Sequence, residues 1–597
     1  MNASYGTVWN LSGLWSGPDD PLLAREMADC LDLAKDFTRS NMSGLPAMSG
    51  SPCLSGQSRG VFPEIVRAYE EILAREERVE AFAELWGALR TKDGATEGLR
   101  RRVGIFQRSV RLRLRPFELA WAELDNAQAR FQLETLGDHP AQHNLEKARR
   151  FRPHLLDPDR EALLTNILSP IRSAWMAQWG DLIGTIECSH SNQAAPLGKL
   201  LVLLSHPSRT VRAASEAKLG RALEHSRSLF ARVLEGSVLA KNQEDQARNH
   251  RHWLQARTLN EETTTKAVDH LMEGIRCGFP LVRRYFRLKA KLLGQDVLAG
   301  HDRLAPPLPG FGRAMSWPDV QSLALAGLAR LTPSLADMAL VFFKEGRIDA
   351  APRPGKVPGA FCRSTGDGSA PFILLNASGR ARDTAVLVHE LGHGLHHLLS
   401  DGLGPLGARA PMALGEALAV CGELALFEER LARARSGKAR LVLLCHRLED
   451  DITTIFRQAA LHGFEDDLHR SRDQGTGGPD GLDALWLKSQ EELYQGAVSG
   501  HLPTGWAVIP HFFLVPGYVH VYVRAGSLAV ALWERREAMG PNFAPAFEAL
   551  CAAGGSRPLT TLLAPFGIDP DDPGLAESVL KRFQTTLEQA ERLAKRL

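Results

Sequence analysis

Apolar and polar positions along this chain alternate, for most of its length, with the period of an amphipathic helix. From Pro63 to about Leu156 the Leu, Phe, Ala and Trp residues keep to helical spacing while Arg and Glu fill the outer faces, and residues 160 to 205 continue so, with a break near Asn192 to Pro196. Ser208–Arg248 and Lys266–Leu293 predict two more helical stretches, and long helices return after Glu423 to about Gly500. Asp19-Asp20-Pro21 offers a cap and a first-turn proline for a helix running through Phe37. Ser43–Gly60, rich in Gly, Ser and Pro, reads as a loop. The pattern changes between Gly359 and Asn376: Gly359–Ser364 and Phe372–Asn376 read as a hairpin closed by Thr365–Ser369. The expected fold is mainly α with a small sheet, divided near residue 195 into an N-terminal helical region, residues 1–195, and a second region, residues 196–597.

Directly after the hairpin, Thr384-Ala-Val-Leu-Val-His389-Glu390-Leu391-Gly392-His393-Gly394-Leu395-His396-His397 predicts a helix carrying His-Glu-x-x-His. Spaced by four, His389 and His393 stand about 6 Å apart along one face, so their imidazoles can converge on one ion. Glu390, about 100° further round, can reach a water on that ion but is poorly placed as a ligand, which suits a general base. Val386, Leu387, Leu391, Leu395, Leu398 and Leu399 let the other faces be buried. The competing reading is two histidines on a wet helix face.

A third ligand decides between the two, because a catalytic zinc usually takes three protein ligands and leaves a place for water. His396 fails: it lies about 10 Å of helix from His389, whereas two zinc–nitrogen bonds reach about 4 Å. A third histidine beyond a helix-ending glycine fails too, since those two positions hold His396 and Leu399. Past a Gly/Pro-rich connection, Met412–Phe427 predicts an apolar helix in which Glu416 and Glu423 are nearly the only polar groups and share a face. Carboxylates there are costly unless paired or bound to metal. Glu416 is assigned as the third ligand. Glu423 is either an acceptor for a ligand histidine N–H or a partner in a structural salt bridge.

Composition narrows the class. A chain of 597 residues, 44% hydrophobic and 23% charged, is an ordinary globular protein with room for several domains. A net charge of +2 argues against electrostatic binding of nucleic acid. The basic cluster Arg100, Arg101, Arg102, Arg108, Arg111, Arg113 and Arg115 has acidic flanks and no aromatic ladder, so it reads as a solvated helix face, with a rim attracting acidic peptides as the alternative. Cys30, Cys53, Cys188, Cys277, Cys362, Cys421, Cys445 and Cys551 show no regular spacing and read as reduced core residues. With no signal-like N-terminus and no apolar run near the ~18 residues a membrane span needs, a cytoplasmic location without a membrane partner is expected.

The histidine and glutamate stretches together resemble oligoendopeptidase F, in the thimet oligopeptidase family of zinc metallopeptidases, of gluzincin type. There, His-Glu-x-Gly-His is followed a little over twenty residues later by a ligand Glu in a small-residue helix, with another Glu seven further on; here the gap to Glu416 is 22 residues. Pro352–Cys362 and Pro371–Asn376 resemble the two strands before the zinc helix of that branch, and Arg283–Gly294, Asp302–Pro306, Arg447–Gln458 and Ile509–Tyr522 are similar as well. The likeness runs from about residue 200 to the C-terminus and more weakly before it.

The resemblance implies a two-lobed helical metallopeptidase with a deep central substrate channel, one Zn2+ per chain and short peptides as substrates. It implies that the peptide backbone pairs with an exposed edge strand, with Gly359 and Ala360 as substrate contacts, the alternative being a buried structural hairpin. It also implies His511 and Tyr518 as substrate and transition-state contacts, followed by Tyr522. Tyr and His side chains can donate to the oxygen that gains charge when an amide is attacked; the competing reading makes these aromatics core. Tyr518 and Tyr522 share a face in helix or strand, whereas His520 joins them only in a strand, and relatives often carry Tyr at His520. The expected function is a zinc-dependent endopeptidase with Glu390 as general base. An end-trimming dipeptidase-like activity, or a peptidase or peptide-binding partner dedicated to one precursor, stands as the alternative.

Overall fold

Helix after helix begins at a side-chain cap and buries a stripe of the expected period. Asp20 accepts the Leu22 N–H at 2.9 Å where Pro21–Met42 begins, and Asp93 accepts from Ala95 at the start of Gly94–Glu123. Along Gly94–Glu123 the residues Leu99, Val103, Phe106, Val110, Leu114 and Phe117 are buried at steps of three and four, while Arg100, Arg101, Arg102, Arg108 and Arg111 face solvent. Acids lie beside several of these arginines, as in Arg101–Glu97, Arg102–Asp19 and Arg111–Glu76. The computed structural model describes residues 8–42, 61–91, 93–190, 193–308, 315–471 and 477–596. The expected loop Ser43–Gly60 lies outside the described residues. Where the helical pattern breaks, Glu187–His190 and Gln193–Pro196 pair as antiparallel strands. No helix among the described residues is long and apolar enough to cross a membrane.

The chain forms two compact units, each of three segments: residues 1–155, 313–429 and 533–569 in the first, and 156–312, 430–532 and 570–597 in the second. Residue 195, the expected boundary, falls inside the second unit's first segment. The first unit's core joins Phe62, Phe82, Phe106 and Phe117 to Phe372 and Leu374. The second unit's core gathers Phe230, Leu234, Phe464, Trp506, Phe512 and Phe513.

The expected hairpin forms, as Phe361–Arg363 antiparallel to Phe372–Leu374, with Phe361 opposite Leu374. A third strand, Ile348–Asp349, pairs in parallel on the other side of Phe372–Leu374, so Phe361–Arg363 lies at an edge. Gly359 and Ala360 precede that strand; Gly359 has φ +90, and its carbonyl accepts from the Asn376 amide at 2.8 Å.

Two helices follow the sheet, Ala381–Ser400 and Met412–Arg433. They approach so closely that a Cβ on Gly392 would lie 2.7 Å from the Ala419 Cα, and one on Gly422 would lie 3.0 Å from the Val388 Cγ1. Leu387, Val388 and Leu391 on the first helix and Ala417, Leu418 and Leu424 on the second are buried around this crossing. Gly392→Ala is expected to destabilise the protein by about 1–3 kcal/mol through overpacking. Gly415→Ala, where a Cβ meets nothing within 4 Å, should instead be neutral or gain up to about 1 kcal/mol from helix propensity. Urea unfolding of the two variants checks the contrast.

Candidate metal centre

One turn of the Ala381–Ser400 helix separates His389 from His393 and brings both rings to one face, with centroids 4.8 Å apart and planes at 86°. Their Nε2 atoms lie 3.2 Å apart. From the facing helix, Glu416 places Oε2 3.5 Å from His389 Nε2 and 3.8 Å from His393 Nε2. A tetrahedral ion with bonds of about 2.0–2.2 Å needs its ligand atoms about 3.3–3.6 Å apart, so this triangle closes around one zinc-sized cation nearly as it stands. The three side chains are 25%, 20% and 18% exposed, which leaves a side open for water or substrate. No other group of His, Cys, Asp or Glu among the described residues meets the same test.

Glu423 lies two turns beyond Glu416, and its Oε1 accepts from the His389 Nδ1–H at 2.6 Å. That bond fixes the ring so that Nε2 faces the other two donors. His396, by contrast, turns its Nδ1 to the Cys551 carbonyl at 3.1 Å and is buried, and the helix continues unbroken to Ser400. Burial and the neighbouring His397 push its pKa down to about 3.

Burial and neighbouring charge move the ionisable groups of this cluster in different directions. Burial disfavours an imidazolium at His389, but the carboxylates of Glu416 and Glu423 outweigh it and hold its pKa well above the usual histidine range. His393, buried and beside that charge, is pushed down to about 4. Glu390 is buried, and this loss of solvent raises its carboxyl to about 7; His389 opposes the rise, while Glu416 and Glu423 add to it. The nearby edge strand reaches the same helix at Gly394, where a Cβ would sit 3.6 Å from the Cys362 Sγ. Gly359 is exposed and Ala360 half-buried, ahead of that edge.

The second unit brings His511, Tyr518 and Tyr522 together. His511, on the short helix Pro510–Leu514, stacks on Tyr518 with centroids 5.8 Å apart and planes at 10°. Its Nε2 lies 3.2 Å from the Tyr522 hydroxyl. Because the chain is helical from Val519 to Met539, Tyr522 falls one turn beyond Tyr518, and His520 turns elsewhere. His520 is wholly buried, 6.2 Å between ring centroids from His462, and therefore has no exposed surface through which to touch a substrate. The resemblance placed His520 with Tyr522 among the substrate contacts; the helix turns its side chain inward, away from Tyr518 and Tyr522. The approach of Gly392 to Ala419 went unread in the sequence, although the Gly of His-Glu-x-Gly-His and the Ala/Gly run around Glu416 are its signal.

Residues 333–581 match the family described as Peptidase family M3. Oligoendopeptidase F, plasmid, of Lactococcus lactis subsp. cremoris is 27% identical over 415 residues, covering 69% of this chain and 67% of that protein. Oligopeptidase PepF of Bacillus subtilis (strain 168) is 24% identical over 466 residues, covering 76% of this chain and 68% of that protein. The crystal structure of oligoendopeptidase-F from Enterococcus faecium has the same fold, with a TM-score of 0.72 at 20% identity over 96% of this chain and 99% of that one.

A proton on His389 must leave before its Nε2 can hold a cation. Binding of a divalent ion should therefore release protons, and apparent affinity should rise with pH until the pH passes the His389 titration. Titration calorimetry in two buffers of different ionisation heat measures the release. Glu423→Ala should weaken metal retention about 10- to 100-fold in a chelator competition.

Proposed function

We propose that the chain, whose residues 333–581 match the family described as Peptidase family M3, is a zinc-dependent endopeptidase cutting internal bonds of short oligopeptides. The observation that carries this reading is the Nε2, Nε2, Oε2 triangle of His389, His393 and Glu416, sized for one tetrahedral ion, with the Glu390 carboxyl on the next residue of the same helix. Those three residues would hold one Zn2+ per chain. When bound, zinc supplies a Lewis acid that polarises the scissile carbonyl and acidifies water.

The rest falls to the chain's own groups. Glu390 takes the proton of the attacking water and passes it to the leaving amine, a task that needs a carboxyl able to change state near neutrality. Glu423 keeps the His389 ring in the tautomer that the ion requires. His511 and Tyr518 donate hydrogen bonds to the carbonyl oxygen as it gains charge, each contributing about 3–4 kcal/mol. Tyr522, against His511 Nε2, orients that imidazole. The edge strand Phe361–Arg363, led in by Gly359 and Ala360, offers backbone N–H and C=O groups that pair with a peptide whatever its side chains. That mode suits broad specificity.

Residues 196–597 are the catalytic region on this reading, since every residue given a role lies there, and residues 1–195 form the N-terminal helical region. The scattered cysteines support a cytoplasmic location. The names of the relatives, oligoendopeptidase F and oligopeptidase, support short peptides as the substrate.

Glu390→Gln should keep its zinc and lose about 10²- to 10⁴-fold in kcat on an internally quenched peptide. Glu416→Ala should lose both metal and activity. Mass spectrometry of the wild-type products should show internal cuts. Release of terminal residues alone, or full metal and full turnover in Glu416→Ala, would overturn the corresponding part of the assignment.

A further inference from the structure

Tyr518 follows a turn that is fastened from beneath. Gly517 has φ +76, a left-handed conformation that favours glycine, and links Pro510–Leu514 to the helix Val519–Met539. Its N–H points inward and donates to Glu465 Oε1 at 2.7 Å. Glu465 belongs to another helix, Arg457–Arg470, and is 1% exposed. The turn is also seated tightly, since a Cβ on Gly517 would lie 3.0 Å from the Leu254 Cδ2 and 3.4 Å from the Trp253 Cζ3. From that same segment the Arg257 guanidinium lies over the Tyr518 ring, 5.6 Å from its centroid.

A buried carboxyl is an expensive way to satisfy one backbone N–H. Glu465 Oε2 has no hydrogen-bond partner among the described residues. Its burial pushes the carboxyl up to about 8, against the opposing pull of the Gly517 N–H, Lys241 and Arg257. The adjoining polar groups already have other work: Asp466 accepts from the Trp253 indole at 2.9 Å, and Lys241 donates to Asp245 at 2.7 Å. Packing alone would be served better by an apolar side chain of the same volume.

We propose that Glu465 is a positioning residue for peptide hydrolysis: by holding the Gly517 N–H it sets the direction of the Tyr518 hydroxyl, while Arg257 backs the ring. The inference rests on Tyr518 being a donor to the developing oxyanion. Displacing a reacting group by about 1 Å can cost about 100-fold in rate, whereas a peptide held through backbone pairing is bound much as before.

The test is a double-mutant cycle on the zinc-loaded full chain, reading kcat, KM and metal content for Glu465→Ala, Glu465→Gln, Tyr518→Phe and the Ala/Phe double variant. Glu465→Ala should lower kcat about 10- to 100-fold with KM and zinc content little changed. Glu465→Gln, which keeps an acceptor oxygen, should return to within about threefold of wild type. In the Tyr518→Phe background, adding Glu465→Ala should cost less than about threefold, because the group it aims is gone. Full additivity of the two losses, or an unchanged kcat in Glu465→Ala, overturns the inference while leaving Tyr518 in place. No loss in Tyr518→Phe overturns the donor assignment itself. Should Glu465→Ala fail to fold, Glu465→Met fills the same space without an acceptor and carries the same comparison.

Discussion

The separation of two helix backbones, fixed where Gly392 meets Ala419, governs whether two imidazoles and a carboxylate can share an ion. Helices with ordinary side chains between them sit about 8–10 Å apart. Here one contact is backbone against a missing Cβ, and a second puts Gly422 against Val388. Glu416 and Glu423 ride on the second helix, so the crossing seats both acids at once: one beside the Nε2 atoms, the other against His389 Nδ1. A metal site tolerates errors of about 0.2 Å in its distances. A methyl group at the crossing exceeds that tolerance several times over.

The same crossing concentrates acid in an apolar setting. Glu390, Glu416 and Glu423 lie within one helix pair otherwise lined by Leu, Val and Ala, and a buried carboxylate needs a positive partner. His389, whose pKa Glu416 and Glu423 hold well above the usual histidine range, stands in that place. A folded-state pKa raised above the unfolded one stabilises the fold fully below the ordinary histidine range, and that contribution fades as pH rises through the raised value.

Much of this was legible because the relevant signals are local. His389 and His393 declare themselves by spacing, Glu416 and Glu423 by standing alone in an apolar helix, and Phe361–Arg363 with Phe372–Leu374 by flanking turn residues. What stayed hidden depends on tertiary contacts. Ile348–Asp349 pairs over two residues, too few for any periodicity to register. Val519-His-Val-Tyr-Val is rich in β-branched residues and reads equally as strand; the native helix, which buries Val519, Val521 and Val523, sends His520 inward with them. The two compact units are assembled from distant segments, and no feature of the local pattern announces which helix of the second half joins which helix of the first.

Glycine precedes a candidate site residue at Gly392–His393 and Gly422–Glu423 on the two crossing helices, and the physical reason is the same in both, whereas Gly517 before Tyr518 sits in a turn between helices. Neighbouring residues on a helix point about 100° apart, so when one faces the packed partner the next can face the reaction. Removing the Cβ at the packed position draws the partner close and shortens the lever on which the working group is held. Gly415 before Glu416 marks the limit of the rule, since a Cβ there meets nothing within 4 Å and the position of Glu416 is set by the crossing four residues on. Adjacency to glycine is therefore no sufficient mark of a functional residue. What matters is a glycine with a neighbour pressed against it, whether Ala419, Val388 or the Leu254 and Trp253 pair, because only there does the missing side chain fix a distance that the chemistry uses.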